Sequence, residues 1–524
     1  MKKIASGAIK VSVGTIISRL LGYARDMLVA RYFGAGIFAD AFYAAYRIPN
    51  LFRRLLGEGS VSAAVIPVLS ETKVRDGDDA AGELISASLT FLILVLSAIT
   101  IAGIVWSREI VSVIAYGFSD EPDKLSLTIS LTRLMFPFMF FVSLAAFVGG
   151  ALNTYGIFFV PSVAPGALSV SEISFMLAVA PLLSVGNSQV NGLAVSVIIG
   201  GALQVVAQLP HLARLPLRIK PNFNFALPGI KKIGSLMLPT TVGISVDQIN
   251  AFVDTACASF LPLGSITALY YSNRLMQLPL AIFGISLATV SLPAMSYEAS
   301  RGDIRALKET LNYSIRLMLF AVIPSAAGLV VFGRPIIKLL FEHGRFDAYA
   351  SSLTYSALAF YALGLPAYSA VKIFASAFYS FKETAYPVKV AVISMLLNAS
   401  LNIILMERFA VGGLALATAI SSAFNGFWLF VALRRKIGLI GGRRIAVSFL
   451  KISIASAGMC FLTHYIFFVL LKPSDGAIAT KIITLGAIVA AVLFYILLSR
   501  ILLIEELSGV KEIFSEKLRR YIVK

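Results

Sequence analysis

Residues 18–26 read Ser18-Arg19-Leu20-Leu21-Gly22-Tyr23-Ala24-Arg25-Asp26, and a second stretch reads Arg47-Ile48-Pro49-Asn50-Leu51-Phe52-Arg53-Arg54-Leu55-Leu56-Gly57-Glu58-Gly59. Both interrupt otherwise apolar sequence. A guanidinium at the centre of a bilayer costs about 2.5–3.5 kcal/mol even on the lenient insertion scale, so several of them need a water-filled cavity or an anionic ligand to balance them. The two stretches therefore predict helices that cross a membrane and enclose something polar.

Composition agrees. The 524 residues are 58% hydrophobic and 14% charged, with a mean hydropathy of +0.86, whereas soluble domains carry about 45–50% apolar residues. Apolar runs recur at helical length, and the absence of alternating ten-residue segments argues against an outer-membrane barrel. The expected fold is an all-α integral membrane bundle of about fourteen transmembrane helices. They fall near 8–32, 40–69, 84–106, 126–152, 158–183, 190–212, 233–261, 266–296, 310–333, 350–380, 386–406, 411–434, 445–471 and 479–503. The first begins after Met1-Lys2-Lys3, which looks superficially like a signal-peptide start. Arg19, Arg25 and Asp26 interrupt its apolar stretch and no small-residue cleavage site follows, so it is read as retained.

Basic residues set the expected orientation. With the N-terminus in the cytoplasm, that side collects Lys2, Lys3, Lys73, Arg75, Arg214, Arg218, Lys220, Lys231, Lys232, Arg301, Arg305, Lys308, Arg434, Arg435, Lys436, Arg443 and Arg444. The other side receives chiefly Arg108, Lys124, Arg334, Lys338, Arg345, Lys472 and Lys481. Both termini are thus expected in the cytoplasm. The net charge of +18 needs no nucleic acid, because cytoplasmic loops facing anionic membrane lipid explain it.

A weak internal repeat divides the chain. At an offset of about 226 residues Ser60, Pro67 and Ser70 fall on Ser286, Pro293 and Ser296, and Ala151 and Pro161 fall on Ala377 and Pro387. With a gap of one or two residues, Asp26 and Gly36 fall on Asp254 and Gly264. Two six-helix lobes of like orientation, 1–220 and 225–437, are expected to be related by a pseudo-twofold repeat. Residues 438–504 add two further helices. Residues 505–524, with Leu507, Val510, Phe514, Leu518 and Tyr521 at spacings of three and four, read as an amphipathic tail at the membrane surface. Paired repeats are a common transporter plan, with the substrate between the halves.

The first two spans carry the chemistry. Ser18, Gly22 and Arg25 share a helical stripe beside Arg19 and Asp26, and Tyr46, Asn50, Arg53 and Gly57 share one beside Arg47 and Arg54. Arg31, Arg47 and Arg54 are evenly balanced between a cavity role and snorkelling to headgroups. Arg19, Arg25 and Arg53 lie deeper and beside small residues, which favours the cavity. Asp26 is placed to pair with a neighbouring arginine, and Asp40 to serve as an ion-pair partner or gate contact rather than a proton carrier. No G-x-x-x-x-G-K-[ST] loop is present, so nucleotide hydrolysis is not expected and no cofactor is implied. Energy is left to membrane potential or to a coupling cation, sodium or proton. Asp254, Asn398, Asn402 and Thr418 offer oxygens for it; a structural Asp254 paired with Asn250 is the equal alternative, and Asp247 competes for the same role. Cys257 and Cys460 have no metal-ligand spacing and read as packing residues.

Several motifs in order resemble one family. Ser18-Arg19-x-x-Gly22-x-x-Arg25-Asp26, Phe33-Gly34-Ala35-Gly36-x-x-x-Asp40-Ala41-Phe42, and Pro49-Asn50-Leu51-x-Arg53-Arg54 with Glu58-Gly59 are similar to the MurJ (MviN) lipid II flippases. So are Pro161-Ser162-x-Ala164-Pro165, Tyr270-Tyr271-x-x-Arg274-Leu275-Met276 and Lys382-x-Thr384-x-x-Pro387-Val388-Lys389. The resemblance spans essentially the whole chain. It implies a transporter of the multidrug/oligosaccharidyl-lipid/polysaccharide exporter (MOP) superfamily in the bacterial inner membrane, moving undecaprenyl-pyrophosphate-linked lipid II between leaflets for peptidoglycan synthesis. It also implies two C-terminal helices with a groove for a lipid tail, and the peptidoglycan synthesis machinery as a neighbour. The family's cavity arginines fall on Arg19, Arg25, Arg53 and Arg274, its acidic position on Asp40, and a further glutamate on Glu58. Arginine suits a pyrophosphate because its fork of donors binds anionic oxygens bidentately at any cellular pH.

Two other readings differ in what they require. A related exporter, for another lipid-linked oligosaccharide or an amphipathic drug, differs in cavity charge, and a cationic drug needs an acidic or aromatic lining. A polyprenyl-linked glycosyltransferase needs catalytic carboxylates or a metal-binding motif at a membrane face. Asp76, Asp78 and Asp79, beside Lys73 and Arg75, look instead like a solvated turn.

Overall fold

A backbone buried away from water must satisfy its own hydrogen bonds, and helices do so within one segment. The computed structural model describes residues 2–52, 60–470 and 477–507, with residues 2–10, 12, 52, 60–63, 238–244, 247, 470 and 477–479 described by their backbone alone. Every regular element among these is helical. In chain order they are α1 (Lys2–Phe33), α2 (Ile37–Phe52), α3 (Ser60–Val105), α4 (Ser107–Ile114), α5 (Pro122–Thr154), α6 (Phe159–Val163), α7 (Gly166–Ser174), α8 (Asn187–Val206) and α9 (Leu209–Ala213). The second half supplies α10 (Pro228–Ala258), α11 (Ser265–Pro279), α12 (Ser286–Ser300), α13 (Ile304–Leu340), α14 (Ala348–Ser380), α15 (Ala385–Phe409), α16 (Val411–Ile437), α17 (Gly442–His464) and α18 (Ala477–Ile501).

Among the described residues ten helices are long and apolar enough to cross a membrane. They coincide with ten of the fourteen spans expected from the sequence. The other four, near 8–32, 40–69, 158–183 and 233–261, fall on helical segments that are short, broken, or only partly described. One boundary is corrected. The polar stretch 70–83, read as a loop, is helical on both sides of Gly77 (φ 88°, ψ 179°), where two helices meet at a kink beside the expected turn of Asp76, Asp78 and Asp79. Charged side chains end a membrane span without ending a helix, because the backbone ladder does not depend on them. This polar extension is held by contacts to its neighbours: Lys232 donates to Glu71 at 2.6 Å, Tyr155 donates to Asp78 at 2.9 Å, and Lys73 lies 3.7 Å from the Tyr155 ring centroid.

The described residues form two compact units. One comprises those up to Thr267 together with His343–Asp347, the other Ala268–Glu342 and those from Ala348 on. In the first, α5 is the central helix. Phe147 and Leu152 pack with Val65, Leu69 and Ile85 of α3 and Ile233 of α10, while Phe136 and Met139 pack with Ile48 and Leu96. Helix association in lipid has little hydrophobic drive and depends on close approach. Gly200 and Gly201 of α8 provide it: a Cβ would lie 2.7 Å from Leu168 Cα at the first and 2.8 Å from the Phe138 ring at the second. In the second unit Leu358, Tyr361 and Leu365 of α14 are buried. Tyr355 donates to Val330 O at 2.7 Å, Asn312 to Ile440 O at 2.7 Å and Tyr495 to Phe320 O at 2.6 Å, which ties α13 to α14, α17 and α18.

Element boundaries recur along the chain. α5 runs from 122 to 154 and α14 from 348 to 380, each limit displaced by 226; α6 begins at 159 and α15 at 385, displaced by the same amount. The register matches the offset between the prolines and serines noted above.

Candidate functional site

α1 places its two arginines in different surroundings. Six helical residues correspond to about 600° of rotation, so Arg19 and Arg25 cannot share a face. Arg19 is exposed, whereas Arg25 is only 8% exposed and turns toward α7. There its Nε and Nη2 donate to Asp26 Oδ1 at 3.0 and 2.7 Å, and its Nη1 lies 3.5 Å from Glu172 Oε1. The expected local partner, Asp26, is therefore present. Glu172, 2% exposed, is a second partner that sequence reasoning missed. α1 reaches α7 closely because Gly166 faces it: a Cβ there would lie 3.3 Å from Leu21 and 3.6 Å from Ser18 Cα. Among the described contacts the cluster sets the Arg25 guanidinium against two carboxylates, held away from water, where such charges are costly unless paired.

A second buried cluster surrounds Asp40 of α2, 1% exposed. Its Oδ2 accepts from Gly264 N at 2.8 Å, and its Oδ1 from Thr267 N at 3.0 Å and Thr267 Oγ1 at 2.7 Å. These are groups at the start of α11, so Asp40 acts as its cap from a distant part of the chain, where a negative charge is favoured by the helix dipole. Lys124 Nζ lies 3.7 Å away. Its side chain is 2% exposed and also approaches Glu121 at 3.5 Å and the Phe118 ring at 4.1 Å. Lys124, counted above only among the basic residues of the outer side, lies in the first turn of α5 and is the buried counter-ion of Asp40, which gives Asp40 the ion-pair partner expected of it. On the same unit Arg47 Nε donates to Thr255 Oγ1 at 2.9 Å, which removes Arg47 from the snorkelling class.

Near these groups the backbone is interlocked. Gly34 (φ 64°) faces Arg345 O, and Gly344 (φ 66°) faces Arg31 O, each too closely for a Cβ. Arg345 N donates to Arg31 O at 3.0 Å. Gly264 (φ 91°) meets Ala35 O, 2.7 Å from where its Cβ would be.

Other candidates are placed separately. Arg53, Arg54 and Glu58 lie outside the described residues, as does the side chain of Asp247 and the tail beyond residue 507. Arg274, on α11, is half-buried and belongs to the second unit. In that unit Asn398 and Asn402 of α15 are both 0% exposed, and Asn398 Nδ2 donates to Thr418 Oγ1 at 3.5 Å. These three are neutral oxygen donors one turn and one helix apart. Asp254, 8% exposed, belongs to the first unit. Among the described residues no group of three or more His, Cys, Asp or Glu side chains is gathered as for a metal ion.

A buried, charge-paired polar interior within long apolar helices is the plan of a membrane transporter rather than of a soluble enzyme. In fold the chain is similar to an inward-facing multidrug resistance MATE family transporter of the MOP superfamily, with a TM-score of 0.69, 14% identity, and coverage of 83% of this chain and 98% of that one. The family is more specific. A sequence model of lipid II flippase MurJ matches residues 29–474, and the chain belongs to that family. A relative from Buchnera aphidicola subsp. Schizaphis graminum, described as a probable lipid II flippase MurJ, is 35% identical over 488 residues, covering 93% of this chain and 94% of the relative. A solved structure described as lipid II flippase MurJ in an inward closed conformation is 28% identical, with a TM-score of 0.77 over 94% of this chain and 100% of that chain.

Proposed function

We infer that this chain is a lipid II flippase of the bacterial inner membrane, a transporter that carries the undecaprenyl-pyrophosphate-linked precursor of peptidoglycan from the inner to the outer leaflet. The family match along most of the chain carries this reading. In finer detail, fourteen spans form two six-helix lobes, 1–220 and 225–437, with two further helices and both termini in the cytoplasm. The repeated element boundaries at 226 residues support two lobes of like construction. Neighbouring peptidoglycan synthesis enzymes are the natural recipients of the product.

Arg19, Arg25, Arg53 and Arg274 are assigned to the pyrophosphate, and access alternates as the lobes rock. The pairing of Arg25 with Asp26 and Glu172 adds a physical step: an incoming diphosphate competes with two carboxylates for one guanidinium. Binding therefore exchanges one anion for another at a buried cation, a differential contact of the kind that shifts a conformational equilibrium. Glu58 and Asp40 are assigned to gating or ion pairing. Sodium or a proton couples through Asn398, Asn402 and Thr418, with Asp254 as a separate candidate, or the membrane potential drives the cycle directly.

Complementation of a flippase-depleted bacterium, read by lipid II accessibility at the outer leaflet, tests the assignment. The wild-type chain restores accessibility, and Arg274→Lys restores it only in part because bidentate contact is lost. Failure of the wild-type chain to restore it moves the substrate to another lipid-linked oligosaccharide. Full activity of lysine at Arg19, Arg25, Arg53 and Arg274 replaces directed contacts with a diffuse positive field.

A further inference from the structure

Within the second unit a pocket opens between α13, the start of α17 and the turn that follows α18. Four cations line it: Arg316, Arg443, Arg444 and Lys451. One is already neutralised. Arg316 Nη1 lies 2.7 Å from Glu505 Oε2 and 3.1 Å from Glu506 Oε1, and Glu506, 1% exposed, also accepts from Ser448 Oγ at 2.5 Å. These ion-paired residues line the pocket as well. Among the described residues Arg443, Arg444 and Lys451 pair with no carboxylate within 4.0 Å; Lys451 donates to Leu503 O at 3.3 Å.

Two of the three remaining cations stand at a helix end that opposes them. Arg443 and Arg444 occupy the first turn of α17, whose positive dipole end disfavours cations, and its N-cap Gly441 supplies no side-chain acceptor. An anion in the pocket reverses that cost. The rim indicates what kind of anion. Val447 and Leu503, which also line the pocket, are 49% and 77% exposed, and Leu450 and Ile501 beside them are 60% and 66% exposed. The spanning segments end here, at Gly442 and Ile501, so the pocket lies at the depth where a phosphate headgroup meets its acyl chains.

We propose that Arg443, Arg444 and Lys451 form a headgroup site for an anionic phospholipid, with the phosphate against the start of α17 and the acyl chains along Val447 and Leu503. Unlike a diffuse basic surface, this site is a pocket, whose lining also includes the Arg316–Glu505–Glu506 ion pairs. It uses none of the residues assigned to the transported substrate and does not depend on that assignment. Basic pockets between spanning helices are a recurrent way of holding such lipids.

The test uses the full chain, purified in detergent and titrated with dioleoyl phosphatidylglycerol, with dioleoyl phosphatidylcholine as control and bound lipid counted by native mass spectrometry. Arg443→Gln/Arg444→Gln/Lys451→Gln should retain phosphatidylglycerol about tenfold less well or worse, with phosphatidylcholine unchanged. Equal phosphatidylglycerol retention by the triple variant overturns the proposal. Millimolar glycerol 1-phosphate should leave the lipid in place; displacement by it makes the site one for a soluble phosphate instead. Should the variant not fold, amide exchange on the unaltered chain decides. Phosphatidylglycerol, and not phosphatidylcholine, should slow exchange over 442–451 and 502–507, and the absence of a difference between the two lipids overturns the site.

Discussion

Replacing Asp40 separates two functions that one carboxylate performs. Asp40→Ala removes three hydrogen-bond acceptor contacts at the start of α11 and leaves Lys124, 2% exposed, with only the half-exposed Glu121 as an acidic partner among the described residues. Breaking a buried ion pair from one side costs about 3–5 kcal/mol, and loss of the cap alone about 0.5–2 kcal/mol; the two overlap and do not add. For a unit of this size that is a fall of roughly 6–20 °C in the thermal midpoint. Asp40→Asn keeps an acceptor for the α11 amides but not the charge, so it isolates the electrostatic part and should fall between wild type and Asp40→Ala. Adding Lys124→Met to Asp40→Asn removes the stranded cation and should recover part of the loss, because a buried pair replaced on both sides by matched neutral groups is often nearly neutral. The measurement is thermal unfolding of detergent-purified wild type, Asp40→Asn, Lys124→Met and the double variant as a double-mutant cycle, with Asp40→Ala alongside. A double variant whose loss equals the sum of the single losses would show that the two side chains do not interact and would refute the pairing.

Three further outcomes follow from the geometry. Arg25→Ala strands Asp26 and Glu172 together, so it should lower stability as well as transport. Adding Glu172→Gln should restore thermal stability without restoring lipid II accessibility, and recovery of both would place Arg25 outside the substrate path. Gly34→Ala should lower the thermal midpoint because its Cβ would meet Arg345 O at a positive φ, whereas Gly36→Ala, with nothing nearer than Phe33 O at 4.0 Å, should not; equal midpoints would contradict the interlock. Glu505 is held below its ordinary value of 4.5 chiefly by the Arg316 hydrogen bond and charge. Its stabilisation is therefore present above that value and disappears as pH falls through the lowered one. The midpoint difference between wild type and Glu505→Gln should be seen near neutral pH and shrink once the pH is taken below the ordinary carboxylate range.

The membrane class was legible because composition and run length report directly on the solvent a helix must face. Span limits were legible for the ten helices with long apolar cores. They failed at 70–83, where hydropathy changes but the backbone stays helical on either side of the kink at Gly77. Site residues followed the same division. Arg25 and Asp26 are neighbours in sequence, and their pairing was readable. Asp40 and Lys124 are not, and nothing local to Glu121-Pro122-Asp123-Lys124 distinguishes a buried lysine from a loop lysine. Glu172 was a missed signal rather than a missing one: it stands in the apolar run Ser171-Glu172-Ile173-Ser174-Phe175, and the argument that singled out Arg19 applies to it equally.

The 226-residue register has a consequence at this very position. Counting from Glu172 by that interval reaches Asn398, and both side chains are sealed from solvent, at 2% and 0% exposure. One position of this register thus holds an ionisable acid facing an arginine, and its counterpart holds a shorter, uncharged amide. A charge brought near the first is felt by an ion pair and near the second only by a dipole, so the same interval along the chain carries two different electrostatic responses.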